Sequence, residues 1–403
     1  MIKSVTRFCV LLSCIFGCEK ASTVEIYPFS LQRQDGTVLE GYFSPPSTSS
    51  SPIICAIQGS WCESALKWHM DLCEQVEPLG LGLIVIEKQG ISKDEINLFE
   101  YNQTNCLQHR LEDYTLCLEN LSAIALEWEG KIIFWGESEG GLLAASLAAQ
   151  TPKTAAVLLF ATGGGMNPCE EVKWMIHRRL KEHGASQDEI DEYMHFLENQ
   201  MSAMILDPTP NKYFLGNTYK WWTALLTAHK ALTPLNQLSL PIYLVHGVED
   251  NKIPILSADL AAEVLIETKA LTYLRLEGYG HDLNTARIQS AACEWLKSIL
   301  CGQESPGSSL ITTTTQVSEP LSVDWKTDIN SYVFSRGKGN VSVSAEGKTD
   351  LEGNERAAGR VSVSKETDNR VKVEGSVEAS GSKDRNGNVK GEVKVEAKGS
   401  WGF

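Results

Sequence analysis

Five short runs with hardly a polar residue restrict the fold of this chain more than any other feature: Ile53 to Ile57, Leu83 to Ile86, Ile132 to Trp135, Ala156 to Phe160 and Ile242 to Val245. Each has the length of a strand and is apolar at nearly every position, so it has no face to turn to water and must be covered on both sides. Longer helical patterns separate the runs, among them Leu107 to Glu127 and Leu142 to Ala149. That alternation predicts an α/β fold, a mostly parallel sheet with helices on both faces, over residues 24–301. Leu271 to Leu276 adds a further strand, while Val24 to Ser30 and Val38 to Phe43 alternate in polarity around Asp35-Gly36 and read as an antiparallel hairpin.

Between Phe160 and Ile242 lie about eighty residues, too many for a simple crossover. They are rich in Trp174, Met175, Met194, Met201, Met204, Trp221 and Trp222, and predict a helical cap over about 166–235. Those side chains either pack the cap's own core or, for a minority, line an apolar substrate pocket.

The two ends differ from this middle. Lys3 and Arg7 precede an apolar run from Phe8 to Gly17, the pattern of an export signal. Its end, Ile15-Phe16-Gly17-Cys18, resembles a bacterial lipobox, which implies cleavage before Cys18 and a lipid on its thiol; Leu11-Leu12-Ser13-Cys14 is a competing match. The expectation is a signal over 1–18 and an exported protein of the periplasm or cell envelope, anchored by lipid. Residues 302–322 are rich in Ser, Thr, Gly and Pro and read as a linker. From 323 to 403 a period of two takes over, as in Val341, Val343, Ala345 and Val389, Val393, Val395, Ala397, and Asn386-Gly387 supplies a hairpin turn. A small all-β segment of about four antiparallel strands is predicted, with a thin Val and Ala face that needs a partner surface.

The formal net charge is −15, and residues 1–302 carry nearly all of it, with 22 Lys and Arg against 36 Asp and Glu. Such a surface repels phosphate backbones, so no nucleic-acid partner is expected. Eight cysteines lie beyond the leader: Cys55, Cys62, Cys73, Cys106, Cys117, Cys169, Cys293 and Cys301. In an exported chain they permit disulfides, with Cys62 to Cys73 and Cys106 to Cys117 as local loops, or they are buried small hydrophobes, as the apolar setting of Cys55 suggests. None is spaced as in a zinc or redox site, and His177 and His183 lie six apart on a predicted helix with no ligand nearby. Neither a metal nor a cofactor is predicted.

The chemistry centres on Gly136-Glu137-Ser138-Glu139-Gly140-Gly141, which directly follows one apolar run and directly precedes a helix. A sharp strand-to-helix turn lifts the serine above a sheet, and glycines two residues away on either side admit close backbone contact. With this motif in this setting, the chain resembles the α/β-hydrolase superfamily of serine hydrolases across Val24 to Cys301. The resemblance implies a nucleophile at Ser138, an acid in Gly247-Val248-Glu249-Asp250 and a histidine in Gly278-Tyr279-Gly280-His281, in the order that superfamily uses. Asp250 is the candidate acid, with Glu249 as its rival, and His281 is the candidate base; His246, at a strand end, suits a buried structural role. The resemblance also implies oxyanion donors from the backbone of Glu139 and of the loop Gln58-Gly59-Ser60-Trp61, with Ser60 the candidate there. Many relatives have His-Gly where this chain has Gln58-Gly59.

A serine hydroxyl is a poor nucleophile near neutral pH, and an imidazole held by a carboxylate is the base that activates it. The expected activity is cleavage of a carboxylic ester or amide in a small-molecule or peptide substrate. Glu137 and Glu139 flank Ser138 and, unless paired, disfavour anionic groups beside it. The alternative is a surface binding protein that uses the fold as a scaffold and the C-terminal β segment for contacts.

Overall fold

The computed structural model describes residues 25–268, 271–283 and 285–301, and beyond them the strand backbones 309–313, 339–349, 355–366, 371–383 and 389–401. The predicted leader, with Cys14 and Cys18, lies outside the described residues, as do most of the predicted linker and Phe403. The chain divides into two compact units, Met1–Lys326 and Thr327–Phe403.

In the first unit, β1 (Tyr27–Gln32), β2 (Val38–Ser44), β3 (Ile53–Ile57), β4 (Gly82–Ile86), β5 (Ile132–Glu137) and β6 (Thr154–Phe160) are followed by the cap hairpin β7 (Tyr213–Phe214) and β8 (Asn217–Thr218). Then come β9 (Ile242–Gly247), β10 (Leu271–Leu276) and β11 (Ser309–Thr313). The main sheet runs in the order β1-β2-β4-β3-β5-β6-β9-β10-β11. Its first two strands form the antiparallel hairpin, β2 meets β4 antiparallel, and every later pairing is parallel. At the hairpin turn Gly36 takes φ +86° and the Asp35 carboxylate accepts from Thr37 N at 2.9 Å. Strand β11 falls within the stretch whose composition reads as linker; it pairs with β10 through the backbone, with Ile311 in register with Leu274.

Helices cover both faces: α1 (Ala65–Val76), α2 (Leu107–Glu119), α3 (Glu139–Gln150), the cap helices α4 (Pro168–Glu182), α5 (Gln187–Leu206) and α6 (Tyr219–Leu226), then α7 (Ile255–Thr268) and α8 (Ala286–Leu300). The helix predicted over Leu107 to Glu127 stops at Asn120 and gives way to a single turn, Leu121–Ile124. Asn120 leaves helical geometry there and its side chain bonds back to Leu116 O at 2.9 Å, an ending that suits asparagine.

The continuous apolar runs are explained by two cores, one on each face. Cys55, Phe134 and Val157 face one side with Leu142, Leu143 and Leu147 of α3, while Ile54, Trp135 and Leu158 face the other with Trp68 and Leu72 of α1. The cap has its own core, in which Val172, Ile176, Leu197, Met201, Met204, Trp221 and Trp222 meet. Most of the cap's large side chains therefore hold the cap together. All eight described cysteines are free thiols, so neither local disulfide forms. Cys55, Cys73, Cys106, Cys117 and Cys293 are buried, and burial pushes the Cys117 thiol up to about 12.

The second unit contains one antiparallel sheet, β12 (Gly339–Thr349), β13 (Glu355–Glu366), β14 (Val371–Lys383) and β15 (Val389–Trp401), in chain order. Its register sets Val343 opposite Val361, Val361 opposite Val377, and Val377 opposite Val395.

Trp135 is fully buried, with its ring stacked on Phe160 at 4.5 Å. Trp135→Ala is expected to cost about 3–5 kcal/mol, read from urea unfolding of the full chain by helical circular dichroism. A loss below about 1 kcal/mol would contradict this packing.

Candidate active site

Ser138 occupies the turn between β5 and α3 with φ +52° and ψ −122°, a conformation that side-chain-bearing residues rarely adopt. Its neighbours make the turn possible. A Cβ on Gly140 would stand 2.2 Å from Ile57 O, and one on Gly141 would stand 1.9 Å from Thr162 Oγ1. The chain closes on itself through Ser138 N to Phe160 O at 2.8 Å and Gly141 N to Ser138 O at 2.9 Å.

Two loops at the same end of the sheet meet this serine. His281 lies after β10 and Asp250 after β9, and the strands pair in parallel, so both loops emerge on one edge. His281 Nδ1 stands 2.7 Å from Asp250 Oδ2, and Nε2 stands 3.0 Å from Ser138 Oγ. The carboxylate only accepts, which places the ring proton on Nδ1 and leaves Nε2 to accept from the hydroxyl. Asp250 is fully buried, while its rival Glu249 is exposed.

Burial works to raise the Asp250 pKa, but the hydrogen bond and charge of His281, the charge of His246 and the Ile253 N–H together hold it below its ordinary value. Oδ1 accepts from Lys252 N at 2.8 Å and Ile253 N at 2.9 Å. His246, fully buried, puts Nε2 3.2 Å from Ile253 O and 3.3 Å from Asp250 Oδ2. Burial works to lower its pKa, against the pull of the Asp250 carboxylate. The cap reaches the same loop through Arg178 Nη1, which donates to Asp250 O at 3.0 Å.

The loop after β3 lies beside the serine turn, because β3 pairs with β5 and Ile57 stands opposite Gly136. Among the described residues neither Ser60 N nor Glu139 N has a hydrogen-bond partner within the protein. Glu139 begins α3, where an N–H has no partner in the helix. The Gln58 side chain turns inward, 3 % exposed, with Nε2 3.4 Å from Ser64 O.

Several residues here were not singled out by the sequence reading. Arg110 Nη1 donates to Glu139 Oε1 at 2.6 Å, Lys88 Nζ donates to Trp61 O, and Tyr101 Oη donates to Ser60 O at 3.0 Å. Arg110 and Lys88 are both buried, and burial, with the charge of Arg110, pushes Lys88 down to about 7. One signal for Arg110 was present: it sits on the apolar stripe of α2, between Leu107 and Tyr114.

The two flanking acids differ in their pairing. Glu139 is paired and buried, so it projects no free charge at the serine. Glu137 is buried at the end of β5, and burial, reinforced by the charge of Asp282, raises it to about 7, while the indoles of Trp135 and Trp68 temper the shift. Of the two, Glu139 is the one held in a salt bridge.

No protein-family profile matches the chain, and no curated relative is found from its sequence. Similar solved structures exist. One is a thermostable carboxyl esterase from Bacillus coagulans, at 16% identity and a TM-score of 0.50, covering 70% of this chain and 99% of that one. Another is the Pyrococcus furiosus esterase PF2001, at 13% identity and a TM-score of 0.47, covering 68% of this chain and 91% of that one. Mouse alpha/beta hydrolase domain-containing protein 10 gives 17% identity and a TM-score of 0.46, covering 68% of this chain and 99% of that one. The fold is that of the α/β hydrolases.

A carboxyl whose pKa is higher folded than unfolded stabilises the fold below its unfolded value and loses that contribution as pH rises through the folded value. For Glu137 the window runs from 4.5 to about 7. Buried histidines act with the opposite sign, so the informative quantity is the difference between variant and wild type. Glu137→Gln is expected to gain on wild type by on the order of 3 kcal/mol between pH 4 and pH 8 in urea unfolding. A pH-independent difference would contradict the buried, titrating carboxyl.

Proposed function

We propose that this protein is a serine hydrolase that cleaves a carboxylic ester or amide through an acyl-Ser138 intermediate. The observation that carries the reading is the unbroken contact from Ser138 Oγ to His281 Nε2 and from His281 Nδ1 to Asp250. In this mechanism Ser138 Oγ attacks the carbonyl carbon while His281 Nε2 takes its proton. Asp250 stabilises the resulting imidazolium and keeps the ring in its tautomer. The N–H groups of Ser60 and Glu139 receive the oxyanion. Collapse breaks the bond to the alcohol or amine, which leaves with the proton from His281, and water then repeats the sequence to release the acid.

The binding-protein alternative would be favoured by a disrupted triad, and these contact distances argue against it. Carboxylic esters are the first substrates to test, since their leaving group needs less help from protonation than an amine does. From the leader sequence we also propose export and a lipid on Cys18, with Cys14 as the competing position; the N-terminal residue of the mature protein distinguishes them.

A fluorophosphonate probe is expected to label wild type, and Ser138→Ala is expected to abolish labelling and lower kcat/KM on a p-nitrophenyl ester by roughly 10⁴-fold or more. Labelling that survives in Ser138→Ala would defeat the proposal.

A further inference from the structure

We propose that Arg110 is the positioning residue of the oxyanion pocket, one guanidinium that fixes both of its backbone donors. The inference rests on the reading of Ser138 as the nucleophile. Arg110 Nη2 donates to Gln58 O, and Nη1 reaches Gly59 O at 3.3 Å and Glu139 Oε1 at 2.6 Å. Those contacts span the two segments that supply the donors: the loop after β3, and the residue that follows Ser138.

The direction of the donors follows from peptide geometry. In a trans peptide the C=O of one residue and the N–H of the next point in opposite directions. Holding Gly59 O toward Arg110 therefore aims Ser60 N–H away from it. The next carbonyls are held too, Ser60 O by Tyr101 and Trp61 O by Lys88, so four consecutive carbonyls from Gln58 to Trp61 each accept from a side chain. At the other donor, the guanidinium grips the Glu139 side chain in the first turn of α3. Arg110 is 4 % exposed, and a fork of several donors meets three acceptors that a single ammonium could not satisfy in the same geometry.

The test uses the full chain with a p-nitrophenyl ester. Arg110→Met is expected to lower kcat by about 10²-fold, the effect of losing one oxyanion donor, with KM within about threefold of wild type. Added methylguanidinium should restore part of kcat. Should Arg110→Met not fold, Arg110→Lys keeps a charge beside Glu139 and decides the matter, with kcat expected to fall at least about tenfold at unchanged KM. Asp113→Asn is the structural control: it breaks the buried pair that Asp113, on the same helix as Arg110, makes with Arg33 beyond β1, and should lower the Tm while leaving kcat unchanged. Wild-type kcat in a folded Arg110→Met or Arg110→Lys overturns the proposal. A wild-type protein that neither turns over the ester nor takes the fluorophosphonate defeats the underlying reading of Ser138 instead.

Discussion

The strained turn at Ser138 is the constraint on which the site depends. A positive φ at a residue with a side chain costs free energy, and here it is maintained by close contacts on every side. Gly140 approaches the end of β3, and Gly141 approaches Thr162 beyond β6. Any added carbon would push the helix from the sheet and move the hydroxyl. The same contacts join β3, β5 and β6, so the central sheet and the serine position are one structure.

Buried charge is arranged around that turn in two ways. Asp250 accepts from His281 and from the backbone N–H groups of Lys252 and Ile253, with the His246 ring 3.3 Å away. Glu139 is kept buried by Arg110, although its Oε2 has no partner among the described residues. Glu137 has no salt-bridge partner among the described residues and keeps a raised pKa instead. The three carboxyls are close in sequence or space to the serine, yet only Asp250 bonds to the His281 imidazole.

Much of the fold could be read along the chain, because strands buried on both faces must be apolar at every position. The runs Ile53–Ile57 and Leu271–Leu276 match their strands at both ends. Ends set by turns or by partners were less legible: β1 starts at Tyr27 rather than Val24, and the helix from Leu107 breaks at Asn120. The stretch Ser309–Thr313 carries no apolar signature strong enough to mark it as a strand, and its pairing with β10 is a matter of backbone hydrogen bonds.

Ser138, Asp250 and His281 could be named from sequence because each stands in a short loop directly after an apolar run, and local pattern suffices for that. That they meet, that Asp250 rather than Glu249 faces the imidazole, and that Glu139 is neutralised by a residue 29 positions away were decided by tertiary structure. Hydrogen bonds act over about 3 Å in space and are blind to separation along the chain, so no local pattern encodes which partners they join.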